Sequence, residues 1–413
     1  VVITSDKLKK KILKDKFNYL VFNMSKGNGV YLVGGYLRDI LRGVQSQDRD
    51  YVIYHDLESF IHQIYKLIGG TIVVFEKGKT IRIALKNGIT LDFSKISGSI
   101  EEDLSKRDFT INALAWSPER GIVDIYNSLN DIRMRIIRCT KKENLLSDPL
   151  RILRAYRFAA LLNGDIERKT RKLLKPLSNK IKSASSERIT LELFHLLNSE
   201  HSSKYLKMAL YDGVLNKILC NPSNVLYDNL RVIYKLETST RKAIPANLKV
   251  LLNKTFSQNL SYKGLLCIEI LMKNRQTDKN TCYLIKISKR IRKRIELVQR
   301  GFEVLRNKNI DLQKKTYEIF SNTKEASVDL IIIEGKLDLL NEYRRFQRIG
   351  KRSILRSNEI MNISGIKGGK NLGHIIRELR KAEFEGKIKN RDMAFSYIEN
   401  IKDNILHNIY YQT

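Results

Sequence analysis

Asp48 and Asp50 stand two residues apart in the run QSQDRDYVIY. On a strand, that spacing projects both carboxylates to one face and turns Arg49 away from them. Two adjacent carboxylates repel each other unless a cation lies between them, and oxygen-only ligands suit Mg²⁺. The matching chemistry is in-line phosphoryl transfer with two ions: one lowers the pKa of an attacking hydroxyl and the other stabilises the leaving pyrophosphate. Asp92 in ITLDF is the candidate for a third acid on a neighbouring strand. Just upstream, VYLVGGYLRDILRG puts Gly34 and Gly35 between a strand and a helix beginning near Tyr36. Paired glycines let the backbone approach a ligand, and a helix start presents free N–H groups to an anion. This is a phosphate seat, which Arg38 is placed to join.

Other readings of these motifs fail on particular positions. A calcium loop would need a ligand where Val52 stands and a glycine that is missing. No GxxxxGK[ST] occurs, and GNGVYL lacks the last glycine of a dinucleotide fingerprint. His55-Asp56 is the only HD pair, and six scattered histidines do not make the metal cluster of an HD phosphohydrolase.

The elements that must hold these residues change character along the chain. From about Gly27 to Arg138, β-rich runs (VYLV, DYVIY, GTIVVF, TIRIAL, ITLDF) alternate with helical stretches (YLRDILRG, DLESFIHQIYKLI), which predicts a mixed α+β domain. Beyond Asn144 the apolar residues recur at helical spacing, as in DPLRILRAYRFAALLN, ERKTRKLLKPL and SERITLELFHLLN. Only five prolines interrupt the chain, and no repeat of fixed period marks a solenoid.

At 413 residues the chain is long enough for two to four domains. Its 76 Lys and Arg against 44 Asp and Glu give a formal charge of +32, spread along the sequence, which points to a nucleic-acid partner rather than a membrane. No apolar run approaches the roughly 20 residues of a membrane helix. The opening VVITSDKLKKKILKDKF reads as a basic helix rather than a signal peptide. Cys139, Cys220, Cys267 and Cys282 lie far apart with no CxxC pair, so buried thiols in a reducing cytoplasm are expected.

Taken in order, GGYLRD, DRD, EEDLSKRDFTINALAW (Glu101–Trp116), SDPLRILRAYRFAA (Ser147–Ala160) and SERITLELFHLL resemble the motifs of class II tRNA nucleotidyltransferases. These are the CCA-adding, CC-adding and A-adding enzymes and the related bacterial poly(A) polymerases. The five motifs cover the first half of the chain. The second half is similar in being helical and basic, with LGHIIRELRKAEFEGKIKNRD resembling the family's C-terminal segment.

The resemblance implies a polymerase-β-like head at 1–138, including the basic N-terminal helix, then an all-helical remainder. That remainder would comprise a neck with the base-recognition motif at 139–200, a body at 201–300 and a tRNA-binding tail at 301–413. It implies that Gly34, Gly35 and Arg38 hold the triphosphate, that Asp48 and Asp50 hold two Mg²⁺ ions, and that Arg107, Asp108 and Asn112 surround the ribose. Asp108 and Asn112 are four apart and would share one face of a helix.

Asp148 and Arg151 would read the base, with Arg154 and Arg157 continuing a basic stripe toward phosphates and Glu187-Arg188 supporting the helix from outside the site. One acceptor beside one donor matches the Watson–Crick edges of C and A, and leaves buried groups unpaired against U and G at about 1–3 kcal/mol per group. Asp148 before Pro149 is also a good helix start.

Two departures bear on the subtype. Ser147 stands where CCA-completing members carry Glu, and the SKISGSI stretch between Phe93 and Glu101 is shorter than the flexible loop of CCA-adding and A-adding relatives. A short loop resembles the CC-adding enzymes. The expectation is therefore a cytoplasmic enzyme that uses CTP to add two cytidines to tRNA, gripping its acceptor and TΨC arms and leaving A to a separate enzyme. The alternatives are a CCA-adding or A-adding enzyme that also uses ATP, a poly(A) polymerase, and a noncatalytic RNA-binding scaffold.

Overall fold

The computed structural model describes residues 5–25, 29–54, 56–75, 79–242, 245–273, 284–306, 312–366 and 368–410. Gly27 and Asn28 of GNGVYL, His55, Cys282 and the first four residues of the basic stretch lie outside these. Among the described residues no helix is long and apolar enough to cross a membrane.

The described chain divides into two units, one running through Tyr227 and including 284–286, the other formed by 228–273 and 287–410. The first unit opens with helices α1 (Ser5–Lys14) and α2 (Lys16–Met24). A seven-stranded sheet follows: β1 Val30–Val33, β2 Asp48–Ile53, β3 Thr71–Phe75, β4 Thr80–Ala84, β5 Thr90–Lys95, β6 Ala115–Ser117 and β7 Gly121–Val123, in spatial order β3-β4-β5-β2-β1-β6-β7. β2 and β5 are parallel, and the other neighbours are antiparallel. Helices α3 (Gly35–Leu41), α4 (Leu57–Ile68) and α5 (Ile100–Ser105) connect these strands, and α6 (Ser128–Met134) follows them.

Alternation along β2 sorts the chemistry. Arg49 and Tyr51 turn to the face covered by α2, where Arg49 donates to Asp15 at 3.0 Å and Tyr51 stacks on Phe93 and donates to Asn18. Asp15 also caps α2 by accepting from the N–H groups of Phe17 and Asn18, so one carboxylate both starts that helix and fixes the back of β2. On the other face, Val52 joins an apolar cluster with Tyr31, Val33, Ile100 and Leu104. Asp48 and Asp50 lie at the start of β2, where this same face comes out from under the cluster.

Beyond the sheet, α7 (Lys142–Ser147), α8 (Leu150–Leu162), α9 (Arg168–Leu177) and α10 (Ser186–Leu197) continue the first unit, with α8 packed along α10. The remainder is helical, with two exceptions to the all-helical expectation: a ladder of β8 (Ile136–Ile137) with β9 (Asp165–Ile166), and a small hairpin of Thr255–Ser257 with Leu260–Ser261. The second unit has its own cores, one around Leu355, Ile360, Ile375 and Leu379, the other an aromatic cluster of Tyr317, Phe320, Tyr343, Phe346 and Phe384.

Two local expectations need correction. KRDFTINALAW is not an α-helix: Thr110–Asn112 is a single 3₁₀ turn and Ala115–Ser117 enters the sheet. The cysteines are not uniformly buried, since Cys267 is buried, Cys139 half-buried and Cys220 exposed.

Candidate active site

A cavity of about 500 Å³ opens over the start of β2. Its wall contains every residue the sequence singled out for chemistry: Gly34, Gly35, Arg38, Asp48, Asp50, Asp92, Arg107, Asp108, Asn112, Asp148, Arg151, Arg154 and Arg157. Tyr36, Asp39, Ser46, Arg82, Phe158 and Arg188 complete it.

Gly34 is the residue least open to substitution. Its φ of +71° is left-handed, and a Cβ there would lie 2.9 Å from Nη1 of Arg107 and 3.7 Å from Oδ2 of Asp50. The turn therefore demands glycine, while the Arg107 guanidinium is the end of a flexible side chain that could shift. In-register pairing of parallel β2 and β5 sets Asp92 beside Asp50 on one face, and Thr90 donates to Asp48 Oδ1 at 2.6 Å.

Seven arginines and six aspartates line the cavity, and most are already paired. Arg38 engages Asp39, Arg82 engages Asp92, Arg154 engages Asp108 and Glu192, Arg157 engages Glu192, and Arg188 engages Asp148. Arg107 pairs with Asp103, outside the wall. Among the described residues, Asp48 and Asp50 are the two lining carboxylates with no ion pair. Burial, opposed by Arg107 and reinforced by Asp92 and Asp48, lifts the Asp50 carboxyl to about 6.

Asp92 does not complete a three-carboxylate set as expected, because both its oxygens are taken by Arg82 at 2.6 Å. Among the described residues no three acidic, histidine or cysteine side chains converge as a metal cluster.

A continuous chain of polar contacts joins the head motifs to the helices beyond. Arg38 donates to Asn112 Oδ1 at 2.6 Å, Asn112 donates to Asp108 Oδ1 at 3.0 Å, and Arg154 donates to Asp108 Oδ2 at 2.8 Å and to Glu192 at 3.1 Å. The 3₁₀ turn thus achieves the Asp108–Asn112 contact without the helix that the spacing suggested. Burial disfavours the Asp108 carboxylate, yet Arg154, Asn112 and the Phe109 N–H together hold its pKa below the usual value. Arg157 lies 4.0 Å over the Phe158 ring, and burial, with Arg154 and Arg38 nearby, lowers its pKa to about 10.

Asp148 and Arg151 share the cavity wall, and the Arg151 N–H donates to the Asp148 carbonyl at 3.0 Å, but their side chains bond to other partners. Arg188 binds Asp148 through Nη1 and Nη2 at 3.3 and 2.7 Å, and Arg151 Nη1 donates to the carbonyls of Lys106 and Asn144 at 3.1 Å each. Asp148 also accepts from the Leu150 N–H at the start of α8, so its capping role is real. Arg188, expected only to support from outside, lines the cavity, while Glu187 pairs with Lys286. Arg154 and Arg157 are less a free stripe than two ends of a clamp on Glu192. Sequence reading missed Arg82, although the alternation in TIRIAL puts it on the same face as Asp92 once the register is known.

A family described as Poly A polymerase head domain matches residues 86–138, and one described as Probable RNA and SrmB- binding site of polymerase A matches 165–223. The CC-adding tRNA nucleotidyltransferase of Synechocystis sp. is 26% identical over 90% of this chain and 93% of its own length. That of Geobacter sulfurreducens is 35% identical, over 46% of each protein. Further relatives bear the names A-adding tRNA nucleotidyltransferase and CCA-adding enzyme. In fold, the Thermotoga maritima CCA-adding enzyme complexed with tRNA superposes with a TM-score of 0.74 at 19% identity, covering 96% of this chain and 98% of that one. The ordered motifs, the cavity that gathers them and these matches lead to one conclusion: the chain is similar to the class II tRNA nucleotidyltransferases, and the findings support that family.

Proposed function

We propose that this protein adds the two cytidines of the 3′-terminal CCA to tRNA from CTP, releasing pyrophosphate. The observation that carries the catalytic part is the pair Asp48 and Asp50, the two lining carboxylates without an ion pair among the described residues, in a cavity whose other carboxylates are matched by arginines. A hard divalent cation fits that donor set of adjacent carboxylate oxygens. Asp48 and Asp50 would hold Mg²⁺. The chemistry supplied when it is bound is activation of the tRNA 3′-hydroxyl and stabilisation of the departing pyrophosphate.

The chain's own residues do the rest by positioning. Gly34 and Gly35 keep side chains out of the path of the triphosphate, and Arg38, steadied by Asp39 and Asn112, offers its guanidinium to a phosphate oxygen. Arg107 and Asn112 border the ribose. Asp148, oriented by Arg188, is the acceptor for an exocyclic amine, and Arg151, anchored through Nη1 on two carbonyls, is the donor to the ring nitrogen.

The cytidine-only reading is supported by the link from β5 to α5. It consists of Ile96–Ser99 alone, with Ile96 buried and its N–H donating to the Ile53 carbonyl at 2.9 Å. Such a connection leaves little chain to swing a base pocket from C to A. Primer-extension gels at single-nucleotide resolution test the whole reading, using tRNA ending before CCA, after C and after CC, with Mg²⁺ and CTP, ATP or both. Arrest after CC is expected. Completion to CCA would overturn the cytidine-only part, and untemplated A runs on generic RNA would indicate a poly(A) polymerase. Asp48→Ala should lower incorporation by roughly 10³-fold, the scale of losing one charge-stabilising group, with tRNA binding retained. An inactive wild type that still binds RNA would favour a scaffold.

A further inference from the structure

Strand pairing sets Arg82 of β4 directly across from Asp92 of β5, and Asp92 directly beside Asp50 of β2. The guanidinium meets the carboxylate as a fork, Nε on Oδ1 and Nη2 on Oδ2, both at 2.6 Å, the arrangement in which arginine binds carboxylates most strongly. Among the described residues its guanidinium also lies over the ring of Phe75, 5.5 Å away on the edge strand β3, and its side chain is 40% exposed. Arg82 is thus held by one acid and one surface ring rather than by a packed core, and it can leave. Three carboxylates share this face, and Arg82 neutralises the one farthest along the sheet from Gly34.

We propose that Arg82 is a resident counter-ion that keeps Asp92 out of the divalent-ion set and yields it when an ion binds at Asp48 and Asp50. An ion on Asp50 attracts the neighbouring carboxylate, so ion and guanidinium compete for the oxygens of Asp92. Arg82 therefore tunes ion affinity as a positioning residue acting through Asp92. The inference rests on the catalytic reading above only in requiring that this face bind a divalent cation.

The test is calorimetric titration of the full chain with Mn²⁺, without nucleotide or RNA, at fixed ionic strength. Wild type is compared with Arg82→Gln, Arg82→Lys, Asp92→Asn, the double variant Arg82→Gln/Asp92→Asn, and Asp48→Asn. Competition predicts roughly five- to tenfold tighter binding in Arg82→Gln, with a smaller gain in Arg82→Lys, which keeps the charge but loses the fork. In the Asp92→Asn background the Arg82 substitution should gain much less, because only the direct repulsion between Arg82 and the ion remains. Unchanged affinity in Arg82→Gln overturns the proposal. So does a gain that persists in full without Asp92, since Arg82 would then be only one more positive charge near the site. Both of those outcomes leave the catalytic reading standing. Failure of the wild type to bind any Mn²⁺ that Asp48→Asn removes would overturn both.

Discussion

Asp108 is ionised although it is buried, because its oxygens accept three hydrogen bonds, from the Phe109 N–H and Asn112 Nδ2 on one and Arg154 Nε on the other, with Arg154 Nη2 at ion-pair distance as well. Its folded pKa lies below the ordinary carboxylate value. It therefore contributes stability that is present above about pH 4 and lost as the pH falls through the folded value. Arg154→Ala would strand the carboxylate and should cost about 3 kcal/mol at neutral pH. Urea-unfolding midpoints measured from pH 7 downward should show that cost shrinking through the carboxylate range as Asp108 protonates. A cost that stays constant with pH would assign it to lost packing instead. That the candidate residues gather at one cavity was legible because type and spacing carry the chemistry, as with Asp48 and Asp50 two apart on a strand. Their partners were not: that Arg188 rather than Arg151 holds Asp148, and that Arg82 occupies Asp92, follows from contacts between elements distant in sequence.

At the scale of elements, the sequence was most readable where one periodicity governed an uninterrupted run. The strands Val30–Val33, Asp48–Ile53 and Thr90–Lys95 and the helices Leu57–Ile68, Leu150–Leu162 and Ser186–Leu197 all fall where alternation or three-to-four spacing put them. KRDFTINALAW misled because one short segment supplies both a polar ring of contacts and a strand that must join β1, and that pairing overrides its helical spacing.

The buried charges of the second unit were illegible for a similar reason. Helix Tyr262–Leu271 carries Glu269 into the interior against Asp329, which is already claimed by Arg294 and Tyr262. Burial first, and then the Asp329 charge, pushes the Glu269 carboxyl well above its usual value, so it is folded in as the acid. A raised folded pKa means stability that is full below the unfolded value, about 4.3, and that erodes as pH rises toward the folded one. Glu269→Gln keeps the shape and removes the titration. It should match wild type near pH 4 and exceed it by about 1 kcal/mol or more at pH 8. Equal thermal midpoints for the two proteins at pH 8 would show that Glu269 is not held protonated.

Across the whole molecule, the +32 charge and the candidate active-site cavity are separate matters. The cavity holds seven arginines against six aspartates, four of each paired together, so little of the excess resides there. Exposed lysines carry much of it instead, as on α1, where Lys7, Lys9, Lys10, Lys11 and Lys14 face solvent around the buried Leu8 and Ile12. Charge of this kind attracts a polyanion by releasing its counter-ions, whereas paired charge within a cavity is screened much less by added salt. Binding of tRNA and use of CTP should therefore respond differently to ionic strength. If about six to ten phosphates are contacted, tRNA affinity should fall by roughly 10³ to 10⁵ between 50 and 200 mM salt. The KM for CTP, measured with saturating tRNA at each salt concentration, should change by less than about threefold over the same range. Parallel losses in both would mean that the cavity arginines exchange their internal partners for phosphates so readily that they too count as open positive charge. The network from Arg38 to Glu192 would then be a resting arrangement that substrate dismantles, rather than the rigid frame on which substrate is placed.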